Sequence, residues 1–169
     1  QAYTLEFGEG YIRPYANGGI ITTGGGTITA ITKANPAVVT VTAHGFSNGD
    51  KVYITGAGGM VQVNNREFTV AGATANTFQL SGVNSTSYTT FTSGGLAKKI
   101  VEIATPYVAA DLATIDYAQS ADVLTLTHQN YQPRELTRTS DTSWTLTTCT
   151  FKDGRSEERR VGKECRTVC

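Results

Sequence analysis

The chain has 169 residues, 14 Lys+Arg against 14 Asp+Glu, 39% hydrophobic residues and 18 glycines. Its length suits one ordinary domain or two very small ones, and its apolar content supports packed cores rather than a disordered tail. Zero net charge without a basic, aromatic-interleaved patch argues against nucleic acid as a partner, and no apolar run approaches membrane-spanning length.

Thr is the commonest residue, and Val, Ile, Tyr and Phe accompany it between glycine-rich breaks. These side chains suit a pleated, half-buried surface while glycine supplies turns, so the composition predicts an all-β fold. Leu5 to Tyr15 reads as strand, a Gly8-Glu9-Gly10 break, and strand again. Asn17-Gly18-Gly19 is a strong hairpin signal, because a type I′ turn needs positive φ at both central residues. Ile20 to Thr23 is the expected return strand, punctuated by Gly24-Gly25-Gly26.

From Thr27 the texture changes to short strands at tight spacing. Thr27–Thr32, Ala37–Ala43, Lys51–Thr55, Glu67–Val70, Thr77–Ser81 and Leu96–Ile103 are the expected strands. Val39 and Val41, Val52 and Ile54, Phe68 and Val70, and Phe78 and Leu80 recur every second residue, which places each pair on one inward face. Asn35-Pro36, Ser47-Asn48-Gly49-Asp50, Gly56–Gly59, Asn64-Asn65 and Ala75-Asn76 are turn or loop signals. Six short strands with turns every 8–12 residues predict a small sandwich or barrel. Pro106–Ile115 is the one helix candidate, opened by a proline at a tolerated first-turn position. Strands over Ala121–His128, Glu135–Arg138 and Ser143–Thr150 follow, with turns at Asn130–Pro133 and Ser140-Asp141.

Arg155 to Arg166 reads RSEERRVGKECR. The string resembles the conceptual translation of a sequencing-library adapter at the end of an assembled metagenomic read, so 155–169 is set apart from fold reasoning. Without it Lys+Arg falls from 14 to 9 and Asp+Glu from 14 to 11, a net charge of −2. Cys149 is then the one remaining cysteine, too few for an internal disulfide or a multi-cysteine metal site. The natural chain is expected to continue beyond Gly154.

Between Ile31 and Thr92 the residues Asn35-Pro36, Val39 to Asp50, Val52-Tyr53-Ile54, Gly59-Met60, Asn64 to Val70, Thr77 to Leu80 and Tyr88 form one pattern. It resembles the FCCH-type module, a small β-barrel of ubiquitin-activating E1 enzymes that is also frequent in phage structural proteins. The flanks, Tyr3–Phe7 to Asn17-Gly18-Gly19 and Ile103–Leu112 with Tyr117–Leu124, His128, Tyr131, Pro133, Leu136–Arg138 and Trp144, resemble phage structural proteins in which they adjoin directly. More weakly they resemble the strand repeats of tail-nozzle proteins. The resemblance implies residues 1–26 as an N-terminal β-hairpin, 27–97 as the barrel, inserted at a hairpin tip, and 98–154 as the continuation of a truncated second β domain. Exposed loop tips tolerate such insertions.

No catalytic, cofactor-binding or metal residue is expected. His44 with Asp50 lacks a placed nucleophile and reads as a turn residue bonding backbone. His128 has no acidic neighbour in sequence and reads as a surface or interface residue. Asp111, Asp116 and Asp122 are spaced irregularly and suit helix-end and turn hydrogen bonds, not a paired glycosidase site. Gly24–Gly26 and Gly56–Gly59 precede neither Lys-Ser/Thr nor a helix, so phosphate-loop mechanics fail. Asn84-Ser85-Thr86 matches a glycosylation acceptor that arises often by chance. Cys149 is expected as a small buried side chain.

The expected function is that of a non-enzymatic structural component of a phage virion, in the tail or tail nozzle, acting by subunit packing. Its expected partners are further copies of itself, in a ring, and neighbouring virion proteins, with no cofactor, membrane or nucleic acid. The alternative is an adhesion module for carbohydrate or protein at the host surface, which would show a concave aromatic patch on the barrel with polar groups converging on it.

Overall fold

The computed structural model describes residues 2–150 and is almost wholly antiparallel β, as the composition predicts. The adapter-like stretch 155–169 lies outside the described residues.

β1 (Tyr3–Gly8) and β2 (Tyr11–Ala16) pair over their full length, turning at Glu9-Gly10 with Gly10 at φ +78°. Asn17 and Gly18, at φ +53° and +75°, then reverse the chain into β3 (Gly19–Ile20), in line with the predicted primed turn. β3 holds only the far end of β2: Ala16 faces Gly19 and Tyr15 faces Ile20.

At Ile21 the chain departs. β4 (Thr22–Thr27), β5 (Ala30–Ile31), β6 (Val38–Thr40), β7 (Lys51–Thr55), β8 (Arg66–Ala71), β9 (Thr77–Leu80) and β10 (Leu96–Ile100) build a seven-stranded sheet in the order β4-β10-β7-β8-β9-β6-β5. Its two end strands are successive parts of one segment. Ile28 N–H donates to Gly95 O beside β10, and Thr29 N–H donates to Thr40 O of β6. The sheet therefore curls around one core of Val39, Val41, Val52, Ile54, Phe68, Val70, Phe78 and Leu80, the period-2 residues of the sequence, joined by Met60. Burying a side chain of this size contributes about 1.5–3 kcal/mol.

The sheet takes in Thr22 to Gly26 and Lys98 to Ile100, beyond the margins that the chain's texture suggests. Gly24–Gly26 is not a break but part of β4. A Cβ on Gly25 would lie 2.0 Å from Ala97 O and 2.8 Å from the Phe46 ring. Glycine lets β4 approach β10 at the bulge between Ala97 and Lys99.

The chain returns in β11 (Ile103–Ala104), on the same side of β2 as β3. Ile103 faces Ile12 and Ala104 faces Tyr11. Between the β3 and β11 contacts, β2 has two residues left, Pro14 and Arg13. Ile21 N–H reaches Pro14 O at 3.4 Å, and Glu102 takes the Arg13 side chain. Ile21 and Glu102 thus occupy consecutive positions of one strand. The segment 22–101 is spliced into the middle of a strand, not into a hairpin tip. The Val101 N–H to Ile21 O bond of 2.9 Å and the Thr22–Ile100 pair form its neck.

The expected helix over Pro106–Ile115 is a 3-10 segment, Ala109–Thr114. Asp111 accepts from Val108 N–H at 3.0 Å, and Thr114 Oγ1 donates to Asp111 O at 3.0 Å. These short-range bonds favour tight i→i+3 winding over a longer α-helix. β12 (Asp116–Ser120), β13 (Val123–His128), β14 (Tyr131–Ser140) and β15 (Ser143–Thr148) then form a four-stranded meander. β14 is longer than its predicted core, Glu135–Arg138, and carries Pro133 although it is a central strand. The pairing of β13 and β14 shifts between Leu126 and His128, so Pro133 sits where the ladder is already interrupted. This sheet packs on the β1-β2-β11 sheet through Ile12, Ile21, Val101, Ile103, Tyr107, Leu126 and Leu136.

Arg13 joins the inserted and flanking parts. Its guanidinium forks onto Glu67 of β8 at 2.8 and 2.9 Å, and its Nε meets Glu102 at 2.6 Å. Arg13 is only 8% exposed and lies over the Tyr11 ring. Its two carboxylates hold its pKa above the usual arginine value despite the opposing effect of burial.

Two outcomes follow. A chain in which Ile21 is joined directly to Glu102 retains the two flanking sheets, and 22–101 expressed alone folds, each with a cooperative thermal transition and a β-type circular dichroism spectrum. Arg13→Ala destabilises the full chain by about 2–4 kcal/mol in urea unfolding, because two partly buried carboxylates lose their counter-charge. Arg13→Lys recovers only part of this, since an ammonium cannot fork.

Candidate functional site

The glycine loops and His44 have structural work. Gly59 lies where a Cβ would be 2.1 Å from Thr90 O, and the Gly58 position is 2.7 Å from Ser93 O. The 56–59 loop is therefore packed against another backbone segment rather than open to a phosphate. His44 is buried, its Nδ1 accepting from Phe46 N–H at 2.9 Å and its Nε2 lying 3.3 Å from Thr77 O. These contacts fix the Nε2–H tautomer. The ring lies against Phe46 and Phe78, while Asp50 takes Ser47 N–H and Lys99 instead of His44. Ser85 of the Asn84-Ser85-Thr86 triplet is fully buried, and its hydroxyl ties residues 32 and 34.

His128 is buried, not at the surface that its sequence context suggests, and its acidic neighbour is supplied by the fold. The 3-10 segment brings Asp111 Oδ1 to 3.6 Å from His128 Nε2, and Thr114 Oγ1 to 2.8 Å from the same nitrogen. Tyr131 OH donates to Asp111 Oδ2 at 2.7 Å. His128 Nδ1 accepts Asn130 N–H at 3.1 Å, so Nε2 carries the proton. A relay that activates a hydroxyl needs the carboxylate on the protonated nitrogen and the hydroxyl at the other, free one, whereas here Asp111 and Thr114 share Nε2 and a backbone N–H occupies Nδ1. The cluster instead braces the 3-10 segment against β13 and β14. The hydrogen bonds from Tyr131 and Val108, aided by His128, hold the Asp111 carboxyl below the usual aspartate range.

Cys149 is half-buried just past β15, and burial together with Glu135 raises its thiol pKa. A raised pKa disfavours the thiolate that nucleophilic chemistry requires. Among the described residues no group of three His, Cys, Asp or Glu could hold a metal ion. Asp116 is exposed, and Asp122 pairs with Arg138 at 2.6 Å. No helix of the described residues is long and apolar enough to cross a membrane.

A cleft of about 600 Å³ opens between β1 and the C-terminal meander. Tyr3, Leu5 and Phe7 of β1 form one wall, and Tyr117 and Gln119 of β12 form the other. Leu124, Leu136, Arg138 and Trp144 make its floor. Strand alternation puts 3, 5 and 7 on one face and 117 and 119 on another. Arg138 bonds Asp122 through Nε and a terminal nitrogen and lies 5.0 Å from the Tyr3 ring centroid. Tyr3 donates to Asp141 and meets Trp144 edge-on at 5.3 Å, and Trp144 Nε1–H donates to Asp141 O at 2.9 Å. The concave aromatic surface therefore lies in the flanking sheets, not on the inserted module. Period-2 spacing signals each strand's face, but the cleft requires the pairing of strands more than a hundred residues apart, which no local pattern contains.

The family model for the ubiquitin-activating enzyme E1 FCCH domain matches residues 34–100. The match spans β6 to β10, so this part of the spliced sheet carries the FCCH pattern. No curated protein matches the chain.

Tyr131→Phe tests the bracing role. Asp111 is held below its ordinary pKa, so its contribution to stability is present above about pH 4 and is lost as pH falls through the lower folded-state value. The melting temperature of Tyr131→Phe is expected below that of the parent at neutral pH, with the gap narrowing in acid. A gap independent of pH would show that Tyr131 acts by packing alone.

Proposed function

We propose that this protein is a structural component of a bacteriophage particle, placed in its tail, and that it works by packing against other subunits without making or breaking bonds. The observation that supports this most is the register across the split strand. The flanks resemble phage structural proteins in which they adjoin directly, and Ile21 and Glu102 stand at neighbouring positions opposite Pro14 and Arg13. The FCCH-like segment is then a decoration carried outward on the two-stranded neck of β4 and β10. The means of packing are the strand edges left open among the described residues, where β1 pairs only with β2, β12 only with β13, and β15 only with β14. All five residues of β12 are exposed. Such edges present unpaired N–H and C=O groups that a neighbouring subunit can satisfy by in-plane pairing.

Recovery of the uninterrupted reading frame and its neighbours from the same sample tests the assignment. The expected result is a frame that continues past Gly154 into further β sequence, beside portal and tail genes. A frame that closes at Cys169 among metabolic genes would overturn it.

A further inference from the structure

The cleft between β1 and the meander points to a second activity: we infer that it binds a neutral oligosaccharide. Four observations converge on that chemistry. First, Tyr117 is 73% exposed although it lines a concavity, and Tyr3, Phe7 and Trp144 line the same space. Tyr and Trp rings offer a broad apolar face, which suits the C–H face of a pyranose ring. Second, the polar groups of the cleft are planar and combine donors with acceptors. Among the described residues Asp122 engages Arg138 through Oδ1, and Gln119 engages Ala121 O through its amide nitrogen. Asp122 Oδ2 and Gln119 Oε1 keep acceptor capacity for hydroxyls, which both donate and accept.

Third, the charge pattern selects against anions. Among the described residues Arg138 is the one cation lining the cleft, and Asp122 at 2.6 Å and Asp141 at 4.0 Å already neutralise it. A phosphate or a nucleic-acid strand would meet a local excess of carboxylate, whereas an uncharged sugar meets none. Fourth, the wall is braced before a ligand arrives. Trp144 Nε1–H is committed to Asp141 O, Tyr3 meets Trp144 edge-on, and Arg138 lies over Tyr3. The cleft's 600 Å³ falls within the roughly 300–1,000 Å³ typical of small-ligand sites. In-plane pairing at the edge of β12 leaves the Tyr117 face open, so this activity is compatible with subunit packing and independent of it.

Trp144 is the chain's sole tryptophan and reports on the cleft directly. The 169-residue chain is titrated with neutral oligosaccharides of glucose, galactose, mannose and N-acetylglucosamine, up to about 10 mM, followed by Trp emission and by calorimetry. The expected result is a saturable response to at least one sugar. It should be weakened roughly tenfold by Tyr117→Ala, the loss of one aromatic stacking partner. The thermal midpoint should be unchanged, since the Tyr117 side chain is exposed. Val61→Ser, on the exposed surface of the inserted module, should leave binding intact. Three results would overturn the inference: no saturable response to any sugar by either method, binding that survives Tyr117→Ala, or saturation of the Trp144 signal only by an extended peptide, which would assign the cleft to strand addition at β1.

Discussion

A β-strand can be cut and refilled only if both ends of the insert return to neighbouring positions on the same partner strand. Here β2 imposes that constraint. It holds β3 at Tyr15 and Ala16 and β11 at Tyr11 and Ile12. A one-residue slip on either side would turn Ile103 or Ile12 from the core to the opposite face. Ile21 and Val101, which bond each other at the base of the neck, are both buried in the flanking core. The apolar pattern thus enforces the register from both sides, and the inserted sheet can form without disturbing the ladder it interrupts.

The neck alone would leave the inserted sheet free to swing. Arg13 removes that freedom because its fork on Glu67 and its bond to Glu102 tie one residue of β2 to both the insert and the return strand. Arg13 belongs to the same face of β2 as Tyr11 and Tyr15, whose hydroxyls both donate to Glu6. Glu6 is held below the usual glutamate range chiefly by the Tyr15 hydrogen bond. One face of β2 therefore carries a polar network toward the insert, while its other face carries Ile12 into the apolar core.

How much of this was legible in the sequence depends on the range of the interaction. Asn17-Gly18 announced its turn because the conformational demand is local to two residues. Val52 with Ile54 and Phe68 with Val70 announced inward faces because the strand period is local too. Gly24–Gly26 misled, since three successive glycines have the same signature whether they break a strand or let two strands approach. The contact with Ala97 that decides between these lies some seventy residues away in the chain. His128 misled for a related reason. Its carboxylate partner, Asp111, is a short distance off in sequence, but it approaches because β12 and β13 pair as a hairpin that brings His128 back to the 3-10 segment.

The cleft arises from a mismatch in width. The β1-β2-β11 sheet is three strands wide along its path, and the meander it packs against is four. Among the described residues no strand of the opposite sheet is left over to cover the fourth strand, β12, and all five of its residues are exposed. An uncovered edge strand is ordinarily an aggregation hazard, and polar residues blunt that hazard. Asp116, Gln119 and Ser120 serve this purpose in β12, and Ala118 adds little apolar surface. Tyr117 is the exception. In a strand otherwise written for solvent, one large aromatic ring placed over a concavity adds apolar exposure that the fold does not use. Subunit pairing along the edge would not cover it either, because the ring projects from the face of the strand. A ligand in the cleft would cover it.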